Sequence, residues 1–136
     1  MAFIEWSENL SVDVKMFDEE HKKLIGLVND LHGSMLKGKG KDALGIVLKG
    51  LIDYTVTHFD NEEKVMEQYN YPGYKLHLVE HKQLTAKVVE LRDKYNKGDV
   101  YLSMDVLLFL KDWLTHHILE TDKQYGAFYT SKGIVL

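Results

Sequence analysis

His58-Phe59-Asp60-Asn61-Glu62 sets an imidazole and a carboxylate four residues apart, and His77-Leu78-Val79-Glu80-His81 does the same with two imidazoles. On an α-helix four residues make about one turn, so each pair shares a face. The flanking residues make both stretches helical. Leu44, Leu48, Leu51, Thr55, His58, Glu62, Val65 and Tyr69 recur at alternating spacings of 4 and 3. Tyr74, His77, His81, Leu84, Val88, Leu91 and Tyr95 alternate 3 and 4. That period is one face of a helix. Histidines and a carboxylate therefore occupy core positions, where such groups are costly without partners.

Working outward, Phe17, His21, Leu24, Val28, Leu31 and Met35 predict an earlier amphipathic helix. Asp18, Glu19 and Glu20 suit its positive N-terminal end. A fourth helix is predicted from about Leu102 to Phe128, with Val106, Leu110, Trp113 and His117 on its inner face. Gly38-Lys39-Gly40, Asn70-Tyr71-Pro72-Gly73 and Asn96-Lys97-Gly98-Asp99 are the breaks. Met1–Met16 reads as an extended arm that packs Phe3, Ile4, Trp6, Leu10, Val12 and Val14 on the body. No segment reads as a strand. Four helices of similar length with short connections imply an all-α, up-down-up-down antiparallel four-helix bundle. The expected layout is one domain over 1–136, with the arm at 1–16, the bundle at 17–128 and a tail at 129–136.

The 136 residues can bury a sizeable core. A net charge of −4 with no basic face argues against nucleic acid. Cysteine is absent, which rules out disulfides, thiolate metal sites and a cysteine nucleophile, and fits a cytoplasmic setting. Met1–Leu10 contains Glu5 and Glu8 and has no apolar run, so it is not a signal peptide. The greasiest run, Val106–Leu110, ends at Lys111 and Asp112, too short to span a membrane.

In antiparallel neighbours, residues at one height are equidistant from the intervening turn. The midpoint between the His58/Glu62 level and the His77/His81 level falls at Tyr69–Asn70. Between His21 and His58/Glu62 it falls next to Gly40, and between His77/His81 and His117/Asp122 at Asp99. All three lie at predicted turns. The sequence thus puts His21, His58, Glu62, His77, His81, His117 and Asp122 in one layer. Imidazole and carboxylate together suit first-row transition metals. Five histidines, two bridging carboxylates and a bridging oxygen would fill about eleven of the twelve positions on two octahedral metals. The remaining position suits one small diatomic molecule. His117 and Asp122 are five apart, about 140° around an ideal helix, so a π-bulge is expected within residues 117–122 to align them.

Several segments resemble bacterial members of the hemerythrin family, the non-haem di-iron oxygen carriers. They are Trp6 with Leu10-Ser11-Val12, Phe17-Asp18-Glu19-Glu20-His21-Lys22, His58-Phe59-x-x-Glu62-Glu63-x-x-Met66, Tyr71-Pro72-Gly73-Tyr74-x-x-His77-x-x-Glu80-His81, and Trp113-Leu114-x-x-His117-Ile118-x-x-x-Asp122-x-x-Tyr125. The resemblance implies one iron on His77, His81 and His117, and a second iron with the open position on His21 and His58. Glu62 and Asp122 would bridge them with an oxo or hydroxo group. It also implies reversible O2 binding at the second iron, where NO or small anions would compete. An oxygen-consuming enzyme or a larger sensor protein would be the partner. The chain departs from the bacterial pattern at Glu20, where relatives usually carry Gln, and at Asp13, where they usually carry Gly.

Phe59, Trp113, Leu114 and Ile118 neighbour the ligand positions and are candidates for the O2 pocket. His32 and His116 read as ordinary polar histidines, and Tyr125 as either a hydrogen-bond donor near the site or plain packing. Glu80 is expected behind the ligands or facing solvent. His77–His81 also spells the H-x-x-E-H zinc-peptidase pattern, but that reading leaves His21, His58 and His117 unexplained. A di-iron oxidase or peroxidase, or an NO-handling enzyme, is the other alternative. Ferritin-like oxidases use Glu-x-x-His pairs, and this chain has none.

Overall fold

The computed structural model describes residues 3–38, 41–98 and 104–136, except the side chains of 41–44, 91, 94 and 104–106. The inward orientation expected for Leu44, Leu91 and Val106, and the turn positions Gly40 and Asp99, fall outside the described parts. Helices α1 (Lys15–Leu36), α2 (Lys41–Gln68) and α3 (Tyr74–Asn96) form three rods. The fourth rod is α4 (Met104–His116), a π-helical turn (His117–Asp122) and α5 (Lys123–Ser131). Neighbouring rods pack α1 on α2, α2 on α3, and α1 on α4. No strand occurs among the described residues, and no helix is long and apolar enough to cross a membrane.

The rods end where the backbone turns left-handed. Asn70 (φ 54) closes α2, and the Tyr71 N–H reaches back to the Met66 carbonyl at 2.9 Å. Asparagine tolerates this conformation better than most residues. Gly38 (φ 67) and Gly98 (φ 79) follow α1 and α3. The buried residues Leu24, Val28, Leu31, Leu48, Leu51, Leu84, Val88 and Leu110 lie on the periodic faces.

The arm packs as expected, burying Ile4, Leu10, Val12 and Val14. Its residues 8–10 form a short 3-10 turn, and α1 starts two residues before Phe17. Asn29 clamps it at one end, accepting from the Ile4 N–H at 2.8 Å and donating to the Ile4 carbonyl at 2.9 Å. Asp18 holds the other end, accepting from Val12 N at 2.8 Å and Ser11 Oγ at 2.6 Å. Asp18→Ala leaves that buried N–H without an acceptor and is expected to cost about 1–2 kcal/mol in a denaturant titration. Asp13, the residue after Val12, has φ 60. Glycine adopts that conformation freely and aspartate only at some cost, so Asp13→Gly is expected to leave Tm unchanged or slightly raised.

The tail is shorter than its sequence suggests. α5 continues to Ser131, and Tyr129 is buried within it. Gly133 (φ 69) then turns the chain out of the helix, with the Ile134 N–H on the Tyr129 carbonyl at 2.9 Å.

Candidate metal centre

α1 supplies His21, α2 supplies His58 and Glu62, α3 supplies His77 and His81, and the π-turn supplies His117 and Asp122. All seven are 0–2% exposed. The π-turn spans the two residues expected to need it. Its wider turn lets residues five apart face the same way.

The ligand atoms form two groups that share Glu62. One contains Glu62, His77, His81, His117 and Asp122, and the other His21, His58 and Glu62. The carboxylate oxygens divide between them. Glu62 Oε1 faces His81 Nε2 at 3.1 Å and His77 Nε2 at 3.8 Å, while Oε2 faces His21 Nε2 at 3.2 Å and His58 Nε2 at 3.3 Å. Asp122 Oδ1 faces His77 Nε2 at 2.8 Å and His117 Nε2 at 3.0 Å, while Oδ2 faces His21 Nε2 at 3.1 Å. Each carboxylate thus turns one oxygen toward His21 and the other toward the His77 side of the cluster.

The donor atoms fit metal ions. Nε2 of His58, His77, His81 and His117, Glu62 Oε1 and both Asp122 oxygens are buried and make no hydrogen bond. Buried polar atoms normally have partners, and here the orphans converge on one another. An all-nitrogen and oxygen donor set matches first-row transition metals.

Behind the rings is a second row of carboxylates. Glu20 of α1 accepts from His58 Nδ1 at 2.6 Å, Glu63 of α2 from His81 Nδ1 at 2.8 Å, and Glu80 of α3 from His117 Nδ1 at 3.1 Å. Each helix thus fastens a histidine of the next. A carboxylate only accepts, so the proton sits on Nδ1 and Nε2 is free to bind a metal. Glu20 is itself held by the Asn61 amide at 3.0 Å, and Glu80 by Thr121 Oγ at 3.1 Å. Each carboxylate adjoins a ligand in sequence, one before His21, one after Glu62 and one before His81. Of the three, only Glu80 is expected from sequence to stand behind the ligands, with solvent as the alternative. Outer partners of this kind are worth about 10–100-fold in metal affinity. Glu63→Ala and Glu80→Ala, which remove the acceptors of His81 and His117 Nδ1, are each expected to weaken iron binding within that range in a chelator competition.

Tyr125 does both things proposed for it. Its hydroxyl donates to Glu62 Oε2, and its ring stacks on His77 at 5.5 Å. Trp113 stacks on His117 at 4.5 Å and Phe59 on His81 at 3.8 Å. Leu114 lines an apolar cavity beside both, whereas Ile118, though fully buried, does not. His32 stacks on Phe3, and exposed His116 pairs with Glu120 at 3.1 Å. Glu80 is engaged by His117 and Thr121 rather than poised as a base over His77 and His81, which removes the support for a zinc-peptidase reading.

Electrostatics follow from the packing. Burial alone would lower the pKa of His58, but the Glu62 charge and the bond to Glu20 outweigh it and raise it to about 10. Burial opposes protonation of His117 too, and Asp122 and Glu80 raise it to about 10. Burial pushes Glu62 and Asp122 up, yet the surrounding imidazoles hold both below the usual carboxylate range. Without metal, the raised histidine pKa values stabilise the fold below the ordinary imidazole value of 6.5, and this is lost as pH rises toward 10. The lowered carboxylate values stabilise it above 3.8–4.5, and this is lost on acidification. The metal-free protein is therefore expected to be most stable between these limits, checked by Tm against pH. Metal loading must displace the protons of His58 and His117, so apparent affinity falls with pH.

Residues 12–129 match the family model described as the Hemerythrin HHE cation binding domain. This chain belongs to the hemerythrin family. It is 34% identical to the bacteriohemerythrin of Methylococcus capsulatus over 93% of this chain and 96% of that protein. It is 33% identical to myohemerythrin-1 of Phascolopsis gouldii over 88% of this chain and 89% of that one. The crystal structure of a wild-type hemerythrin superposes with a TM-score of 0.89 at 33% identity, covering 93% of this chain and 97% of that chain. The hemerythrin fold and its di-iron centre account for the all-helical bundle and for the buried cluster.

Proposed function

We propose that this hemerythrin binds O2 reversibly at a di-iron centre. His77, His81 and His117 hold one iron, His21 and His58 hold the other, and Glu62 and Asp122 bridge them. The division of the Glu62 and Asp122 oxygens between two sets of imidazoles is the observation that carries this reading. When bound, the irons supply the electrons that O2 takes up and returns on release.

The protein's own part is to hold, shield and keep protons in place. Glu20, Glu63 and Glu80 fix three rings with the proton at Nδ1 and Nε2 turned inward. The Tyr125 hydroxyl steadies Glu62 Oε2 from the far side. Phe59, Trp113 and Leu114 wall one side with apolar surface and keep water from the site. Five imidazoles against two carboxylates in the inner cluster leave little negative charge to favour highly oxidised iron, which supports binding over substrate oxidation. Storage, delivery to an oxygen-consuming enzyme and sensing all draw on this one binding step.

The test is the visible spectrum of iron-loaded protein, first reduced without O2, then aerated, then degassed. A band that appears with O2 and disappears on degassing is expected. A change that degassing cannot reverse, with peroxide or oxidised product accumulating, would move the assignment to an oxidase.

A further inference from the structure

The two groups of ligand atoms are not backed alike. Behind His77, His81 and His117 stand two outer carboxylates, Glu63 on His81 and Glu80 on His117. Behind His21 and His58 stands one, Glu20 on His58, and His21 Nδ1 has no hydrogen-bond partner. The inner carboxylate is also weaker on this side. Glu62 Oε2, which faces His21 and His58, accepts the Tyr125 hydroxyl, whereas Oε1 accepts no hydrogen bond. A hydrogen bond stabilises a carboxylate's charge and makes that oxygen a poorer donor.

Glu20 is placed to supply a fixed charge here. Its bond to His58 Nδ1 is 2.6 Å, against 2.8 Å for Glu63 on His81 and 3.1 Å for Glu80 on His117. Its side chain is 18% exposed, against 24% and 39% for the other two, so water screens it least. The Asn61 amide holds its second oxygen at 3.0 Å and keeps the group from turning away. Neighbouring lysines are engaged elsewhere. Lys22 pairs with Glu19 at 3.2 Å, and Lys23 lies over the Tyr54 ring at 4.7 Å.

A carboxylate on the outer nitrogen of a metal-bound imidazole raises the basicity of the inner one. Attraction grows with the charge of the ion, so a negative group behind the ring favours ferric over ferrous iron. We propose that Glu20, acting through His58, is the positioning residue that sets the reduction potential of the iron held by His21 and His58. Its consequence for O2 rests on the function proposed above: a lower potential makes that iron give electrons to O2 more readily. The potential itself is measured without O2.

Asn61 makes a clean variant available. In Glu20→Gln the carboxamide oxygen still accepts from His58 Nδ1, and Asn61, with its amide turned over, accepts from the new NH2 group. The bonds stay and the charge goes. Redox titration of the iron-loaded full chain under anaerobic conditions reads the ratio of ferric to ferrous affinity. A tenfold fall in that ratio, the low end of the roughly 10–100-fold worth of such partners, raises the midpoint of the affected iron by about 60 mV. A residue that only orients the ring would alter both affinities alike, so an unchanged midpoint with two irons bound would overturn the proposal. Should Glu20→Gln hold less iron, Glu20→Asp, which draws the charge back by one methylene, reads the same quantity. It is expected to shift the midpoint upward by a smaller amount, and no shift there would equally overturn the proposal. A raised midpoint in a protein that takes up no O2 would refute the oxygen-binding function and leave the role of Glu20 standing. An unchanged midpoint in a protein that binds O2 reversibly would do the reverse.

Discussion

His77→Ala is expected to cost the protein its two-iron centre. His77 Nε2 lies 2.8 Å from Asp122 Oδ1 and 3.8 Å from Glu62 Oε1, at the point where both carboxylates meet the three-histidine group. Its ring also contacts His81 and His117 edge-on, with centroids 4.5 and 4.9 Å apart, and stacks on Tyr125. Removing it takes away a ligand and leaves a hole between three rings. Iron measured by elemental analysis should fall from two per chain to one or none. The thermal stabilisation that iron gives should shrink with it. A metal present at 1,000 times its Kd stabilises the folded state by about 4 kcal/mol, so the difference in Tm between loaded and stripped protein should largely vanish in the variant. Two irons per chain in His77→Ala would overturn the ligand assignment.

Gly126→Ala is expected to be the most damaging change outside the centre. A Cβ at Gly126 would stand 1.9 Å from the Val12 carbonyl oxygen and 2.9 Å from its carbon. These are backbone atoms, held by the bond from Val12 N to Asp18, so no rotamer change can relieve the clash. The arm would have to leave α5 and expose Val12 and its apolar neighbours. A loss of at least about 3 kcal/mol is expected, which lowers Tm by on the order of 10 °C. Gly50→Ala is the control. Nothing lies within 4 Å of a Cβ there, and the residue is exposed in mid-helix. That substitution should stabilise by up to about 1 kcal/mol. Equal losses in the two variants would show that the close approach of arm and α5 is not what Gly126 provides.

The bundle and the inner cluster were legible because both follow from periodicity. Apolar residues at 3- and 4-residue spacing define the helices, and turns at equal distances set the height of the ligand layer. Even the π-turn was visible, as the conflict between a five-residue spacing and a single face. The outer carboxylates were much less so. Glu20, Glu63 and Glu80 stand one residue from a core position, about 100° around the helix. There Glu20 and Glu63 read as ordinary surface acids and Glu80 as either behind the ligands or facing solvent, and it takes the neighbouring helix to make all three partners of histidines. The cavity was also hidden, since it arises from the volumes of side chains on four separate rods, and a pattern of apolar positions carries no record of volume. The contact between Gly126 and Val12 joins residues far apart in the chain, and a glycine within a helix does not say what approaches it.

The three histidine–carboxylate bonds have a consequence for how the molecule breathes. They fasten α1 to α2, α2 to α3, and α3 to the π-turn, in chain order. Among the described residues no such bond returns from the fourth rod to His21, whose Nδ1 has no hydrogen-bond partner. The bundle is laced by such bonds along three edges and not along the fourth, where Asp122, proposed above as a metal bridge, meets His21. In metal-free protein, local opening should therefore begin at that edge. Backbone amides of the fourth rod should exchange with deuterium sooner than those in the middle of α2, and iron should slow the fourth rod most. Metal loading then does more than equip the protein for a gas: it ties the last edge of the bundle shut.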